Sequence, residues 1–194
     1  RYSQLVERVR AREQSLQVTG LTAAVAQNYA KLLAYKDEYE VARLYRDPSF
    51  QEQIANQFEG NYHLEFHFDP PFMAKTDPET GAHQKRHFGA WMMKLMALLN
   101  RFKVIRGNWL DPFKNNPDRK LERSLISEYE QTLEILLTHL TNENVERAIA
   151  IARLPEQIRG FGHIKQDAVK QVALQKDALL KQFLAQPSIN NKAA

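Results

Sequence analysis

Hydrophobic positions recur with a helical period along most of the chain. From Tyr2 to Val18, Leu5, Val6, Val9 and Leu16 stand among alternating charges, the spacing of an amphipathic helix. Gly20 is placed to end it. A second, longer helix is expected from Thr22 to Arg46, with Val25, Tyr29 and Leu33 as its apolar stripe. Asp47-Pro48 then closes one helix and opens the next. Aspartate is a favoured N-cap and proline fits the first helical position, where no backbone N–H is required. This third helix runs through Phe58 to Gly60.

The period then changes. In "NYHLEFHF", Tyr62, Leu64, Phe66 and Phe68 alternate with His63, Glu65 and His67, the two-residue repeat of a half-buried strand. Pro70-Pro71 ends it, "TDPETG" reads as a turn and "AHQKRHF" as the returning strand, a β-hairpin over about residues 61–88. Helical spacing resumes at Ala90. Trp91, Leu95, Leu98 and Phe102, with Met92, Met96 and Leu99 beside them, predict a broad buried stripe. Leu121, Leu125, Tyr129, Leu133, Leu136 and Leu140 mark a further helix, Thr141 is expected to cap another through Ala152, and the last spans Gly162 to Ala185. The predicted fold is mainly α: one bundle-like helical domain over residues 1–185 with a small β-hairpin insertion and a frayed tail, 186–194.

Composition adds exclusions. The 194 residues carry a net charge of +4, 43% hydrophobic and 26% charged residues, which is globular and too weakly basic for a nucleic-acid footprint. There is no cysteine, so this segment offers no disulfide, thiolate nucleophile or cluster ligand, and a reducing cytosol is the expected compartment. No apolar run approaches a membrane span. Helical periodicity begins directly at Arg1 without an initiator methionine, so a segment of a longer polypeptide is expected.

Four features carry candidate chemistry. His63, His67, His83 and His87 fall in or near the hairpin, and two imidazoles with Glu65 form a metal-type donor set. On one strand, side chains at i and i+4 stand ~13 Å apart, too far for one ion. A cross-strand site depends on a register the sequence does not define, so a solvated sheet face is the simpler reading. Between Thr80 and Leu110 there is no acid, while Lys85, Arg86, Lys94, Arg101, Lys103 and Arg106 are all basic. Such a run can attract phosphate groups or an acidic protein, although Lys94 and Arg101 are more simply the exposed side of the buried stripe; Trp91 and Phe102, assigned to the apolar face, are not available to stack on bases. In the second helix, Lys36, Asp37 and Glu40 fall on the angular range of the apolar stripe. Inward charges must be partnered, so a structural ion network of Lys36, Asp37, Glu40 and Arg43, or an arginine from another element, is expected rather than a catalytic pair. Finally, "LPEQIRGFGHIKQ" has two glycines but neither the third glycine nor the preceding strand of a phosphate loop. It reads as a joint: Gly160 left-handed at a helix end, Phe161 folded onto the core, Arg159 and His163 free for a network or an interface.

Four segments in order, "KLLAYKDEYEVARLY" (31–45), "FEGNYHLEFHFDPP" (58–71), "LDPF" (110–113) and "ARLPEQIRGFGHIK" (152–165), resemble the C-terminal helical region of the long, fused indolepyruvate ferredoxin oxidoreductases, from about residue 3 to 185. The resemblance implies a parent enzyme that oxidatively decarboxylates arylpyruvates with thiamine diphosphate and Mg²⁺, coenzyme A as acyl acceptor, and iron–sulfur clusters passing electrons to ferredoxin. It implies those sites elsewhere in the parent, which is expected to be oligomeric. No cysteine is present here, and Asn115-Asn116 lacks an upstream glycine–aspartate–glycine motif, so no catalytic, cofactor or metal residue is carried over. The expected role is an accessory domain that braces the catalytic domains of the same polypeptide or receives acidic ferredoxin through Lys85, Arg86, Lys94 and Arg101. The alternatives are a stand-alone helical module for an acidic protein, and a metal-dependent enzyme built on the hairpin histidines.

Overall fold

A computed structural model of the chain describes residues 1–35, 37–60, 63–68, 86–160 and 162–185. These residues are mainly helical with one two-stranded antiparallel sheet, the predicted class. Where one domain was expected over residues 1–185, the chain divides into two compact units, residues 1–35 with 121–194 and residues 36–120. The tail from Gln186 lies outside the described residues.

The first unit contains α1 (Tyr2–Ser15), α2 (Leu21–Leu33), α6 (Pro117–His139, counted here from Leu121), α7 (Val145–Arg153) and α8 (Gly162–Leu184). Their apolar stripes converge on one core that includes Val9, Leu21, Val25, Tyr29, Leu133, Leu136 and Ile151. Three tyrosine rings stack inward from its exposed edge: Tyr2 on Tyr29 at 5.8 Å and Tyr29 on Tyr129 at 6.1 Å. Offset stacking adds to the area such rings bury. The inner ring is tied at its edge, because the Tyr29 hydroxyl donates to Glu130, whose carboxylate also accepts both Nε and Nη2 of Arg1 at 2.6 Å.

Helix boundaries follow from local hydrogen bonding. Helix α1 stops at Ser15, short of the expected Val18, and Gly20 opens α2 in a left-handed conformation (φ 103°). Gly20 has no side chain to cap the exposed amides, and Glu13 supplies the missing acceptor from α1. Its carboxylate takes the N–H of Leu21 at 2.7 Å, the N–H of Thr22 at 3.3 Å and the Thr22 hydroxyl. A Cβ at position 20 would also lie 3.1 Å from Ile149 Cδ1. The helix expected to start at Thr141 begins instead at Val145. There Asn144 folds back, accepting from Thr141 N at 2.8 Å and donating to the His139 carbonyl at 2.9 Å.

The joint at residues 154–166 is a 3₁₀ turn, Leu154–Gln157, followed by Gly160 in the left-handed region (φ 91°). Phe161 lies outside the described residues. Lys31, in the last turn of α2, closes the turn by donating to the carbonyls of Pro155 (2.6 Å), Ile158 (3.1 Å) and Glu156 (3.3 Å). One ammonium thereby satisfies three acceptors at a helix end, where positive charge also suits the dipole. Burial, aided by Arg159 and Lys165, pulls the Lys31 ammonium below its ordinary value.

The second unit contains α3 (Glu38–Tyr45), α4 (Pro48–Gln57), β1 (Phe66–Phe68), β2 (Arg86–Phe88) and α5 (Met92–Arg101), the last continued by a 3₁₀ turn, Phe102–Ile105. Its apolar core is small: Ala42, Phe66, Met92 and Met96, with Tyr45, Leu64 and Phe88 at the margin. The Tyr45 ring sits edge-on to Phe50 at 5.3 Å and to Phe66 at 5.4 Å. The expected hairpin is present among the described residues as the pairs Phe66↔Phe88, His67↔His87 and Phe68↔Arg86, while residues 82–85 of the expected returning strand, His83 among them, lie outside the described residues.

The continuous helix expected from Thr22 to Arg46 is two helices. Asp37 adopts an extended conformation (ψ 178°) and its carboxylate accepts the Glu40 N–H at 2.9 Å, which makes it the N-cap of α3. A side-chain acceptor offered to a free amide competes with helix continuation, and here it wins. Asp47 repeats the device as expected, accepting from Ser49 N at 3.1 Å with Pro48 at the first helical position.

Replacing Lys31 with Met should leave the three carbonyls short of a donor while keeping most of the apolar stem. We expect a loss of about 1–3 kcal/mol in urea denaturation; an unchanged midpoint would show that water substitutes fully for the ammonium.

Candidate functional site

The charges of residues 37–43 are placed by the start of α3 at Asp37. Lys36 lies outside the described residues. The Arg43 guanidinium grips Glu40, with Nη2 2.7 Å from Oε1 and Nε 3.0 Å from Oε2, and this pair holds the Glu40 carboxyl below its usual range. Asp37 is buried and pairs with an arginine from another element, as the network reading allowed, and that arginine also helps to lower the Glu40 carboxyl. Its Oδ2 lies 2.5 Å from Arg106 Nε, on a different element. The placement on one inward stripe fails because Asp37 caps a helix rather than riding on one.

A second charged cluster, absent from the sequence reading, is more deeply buried. Arg119 is 4% exposed. Its Nε donates to Glu38 Oε2 at 2.6 Å, a second nitrogen meets the same oxygen, and Nη1 lies 3.3 Å from Asp111 Oδ2. The guanidinium also stands over the rings of Tyr39 (5.2 Å) and Phe113 (5.0 Å), the geometry of a cation–π contact. Asp111 accepts in addition from Gly107 N (2.8 Å), Phe113 N (3.0 Å) and the Tyr39 hydroxyl (3.0 Å). Burial alone would raise its pKa, but these donors and Arg119 together hold the carboxyl below its ordinary value. Burial and the Asp111 acceptor push Tyr39 up to about 12. Donors and acceptors are matched inside the cluster, and its chemistry is cohesion. One signal was available: Asp111 followed by Pro112 and Phe113 is an Asx-turn sequence, the carboxylate accepting the N–H two residues on.

Helix α5 departs furthest from its expected role. Successive residues turn by 100°, so Trp91, Leu95, Leu98 and Phe102 form one line, with Met92, Met96 and Leu99 about a quarter turn away. Only the second line packs inward, with Met92 and Met96 buried and Leu99 partly so. The first is open: Trp91 is 55% exposed, Leu95 44%, Leu98 51% and Phe102 47%. Helix α3, eight residues long, is the main helical neighbour of α5 and covers one sector of it. On the far side of the open line, Lys94 and Arg101 are exposed and make no ion pair among the described residues. Lys103 is exposed as well. Lys85 falls outside the described residues; Arg86 lies in β2. Contiguous apolar surface of this kind, rimmed by charge, is the ordinary mark of a contact face.

The remaining candidates are dispersed. Arg159 is exposed and donates to the Glu156 carbonyl at 3.0 Å, and His163 is exposed on α8. His63 precedes β1, while Glu65, His67 and His87 cluster on the sheet. In the first unit a cavity of about 50 Å³ opens among Leu32, Tyr129, Ile151, Ile158 and Val172, far below the ~300–1,000 Å³ of a cofactor pocket. The Asn116 side chain donates to Glu38 Oε1 at 3.1 Å, and its carbonyl oxygen accepts from Asp118 N at 3.0 Å. Among the described residues no helix is long and apolar enough to cross a membrane.

Residues 1–178 match a family described as one of unknown function, DUF6537. The chain belongs to that family. No curated protein and no solved structure matches it. For DUF6537, then, function has to be read from the contact face and the clusters themselves.

Removing one member of the Arg119 cluster should strand buried charge. Arg119→Met is expected to lose about 3–5 kcal/mol, seen as a lower urea midpoint. The Asp111 carboxyl has a folded pKa below its ordinary 3.8, so its contribution is complete above about pH 4 and fades as pH falls through the folded value. The stability gap between wild type and Asp111→Asn should therefore be constant near neutral pH and narrow under acid. A gap that widens on acidification would reverse the assignment.

Proposed function

We propose that this chain is a non-catalytic accessory domain of an indolepyruvate-type 2-oxoacid:ferredoxin oxidoreductase, and that the open face of α5 is where it meets an acidic protein, ferredoxin in the parent enzyme. The observation carrying this reading is the line Trp91, Leu95, Leu98 and Phe102, about half exposed and bordered by Lys94 and Arg101. Apolar anchors inside a basic rim suit a partner whose acidic surface surrounds an apolar patch: the rim steers encounter and the aromatics supply the desolvated centre. The resemblance over residues 3–185 supports the parent activity. The committed state of Arg119, Asp111, Glu38 and Asn116 supports the accessory role, since groups already saturated within the fold are poor candidates for turnover.

On this reading thiamine diphosphate, Mg²⁺, coenzyme A and the iron–sulfur clusters belong to other parts of a cytoplasmic parent, and this segment contributes surface. A stand-alone module for an acidic protein would use the same face; a reading frame that continues far upstream of Arg1 separates the two.

Charge reversal tests the proposal in the intact parent. Changing Lys85, Arg86, Lys94 and Arg101 to Glu should raise the apparent KM for ferredoxin several-fold, more steeply at low salt, with kcat for arylpyruvate oxidation retained under saturating artificial acceptor. An unchanged KM would discard the α5 face as the docking surface.

A further inference from the structure

Apart from the α5 face, the hairpin brings together a donor set that single-strand geometry rules out. Glu65 and His67 are two residues apart and project to one side of the strand. His87 sits directly opposite His67 in the antiparallel register. The His67 and His87 rings are 4.2 Å apart between centroids, and His87 Nδ1 lies 3.9 Å from Glu65 Oε2. One ligand atom from each of the three residues falls within 4.8 Å of the other two.

We propose that Glu65, His67 and His87 form a binding site for a divalent transition-metal ion of the Zn²⁺ class. An ion with bonds of about 2.0–2.2 Å in tetrahedral geometry holds its ligand atoms roughly 3.3–3.5 Å apart. Side chains this exposed can close the remaining gap, at most about 1.5 Å, by rotamer adjustment without moving the backbone. Two imidazoles and one carboxylate are borderline donors. They select Zn²⁺, Cu²⁺ or Ni²⁺ over Ca²⁺ and Mg²⁺, which take oxygen ligands. Three protein ligands leave a fourth position to water.

The site's position assigns its effect. Among the described residues, strands β1 and β2 are three residues each, so their pairing returns few hydrogen bonds. An ion held by Glu65 and His67 on one strand and His87 on the other ties the strands together, and binding free energy becomes pairing free energy. The simpler alternative is a plain contact between the Glu65 carboxylate and a protonated His87, which needs no metal and shows no selectivity among cations.

The test uses the untagged full chain after removal of metal with a chelator. Titration with Zn²⁺, followed by calorimetry, should give one site per chain. Added Zn²⁺ should raise the melting temperature, and Mg²⁺ at the same concentration should not. His67→Ala and His87→Ala should each weaken binding by at least about tenfold, the loss expected when a metal site is dismantled. His139→Ala and His163→Ala should leave it unchanged. A measurement without substitution guards against misfolded variants: substoichiometric Cu²⁺ should selectively broaden the His67 and His87 imidazole resonances in the wild-type spectrum. Zn²⁺ binding that survives both alanine variants, binding abolished by His63→Ala or His83→Ala alone, or broadening spread evenly over all six histidines would each overturn the assignment.

Discussion

A guanidinium moved out of water has to be met by opposite charge and by donors' partners on every edge, and Arg119 imposes that constraint on the second unit. Its side chain is nearly sealed, Glu38 and Asp111 supply the negative charge, and the Tyr39 and Phe113 rings cover its faces. Each partner is in turn held by something else: Glu38 by Asn116, and Asp111 by two backbone amides and the Tyr39 hydroxyl. The first turn of α3, the loop from Gly107 to Phe113 and the first turn of α6 are therefore fastened at one point. With an apolar core as small as Ala42, Phe66, Met92 and Met96, this polar cluster is a principal source of the unit's definition.

The first unit is organised by the opposite means. Its helices bury a continuous apolar core, and polar groups act at the seams: Glu13 at the start of α2, Lys31 at the 3₁₀ turn, Asn144 before α7. Each of the three serves amides or carbonyls that a helix terminus leaves unsatisfied.

These findings give a family of unknown function a physical description: a helical fold with a buried Arg119–Glu38–Asp111 cluster, a basic-rimmed apolar face on α5, and an exposed imidazole–carboxylate cluster on the hairpin. Saturated clusters and open ones call for different explanations. The former account for the fold; the latter are where other molecules can act.

Periodicity and capping chemistry were enough to identify the helical class, the hairpin, the Asp47-Pro48 helix start and the left-handed glycine at position 160, because each depends on residues within a few positions of one another. The break at Asp37 was local too, written as an aspartate three residues before a glutamate, but the apolar stripe running past it concealed the cap. What only the tertiary structure decided involves partners far apart in the chain. Arg119 with Glu38, Glu13 with Thr22 across a turn, and His67 with His87 across a strand pair belong to this group, as does the choice of which half of the α5 stripe turns inward. A helical period states that a residue shares a face with its neighbours; it carries no information on whether another element arrives to cover that face. Coverage is settled by long-range packing, and so Leu95 and Leu98 are in the open while Met92 and Met96, on the same helix and no more apolar, are in the core.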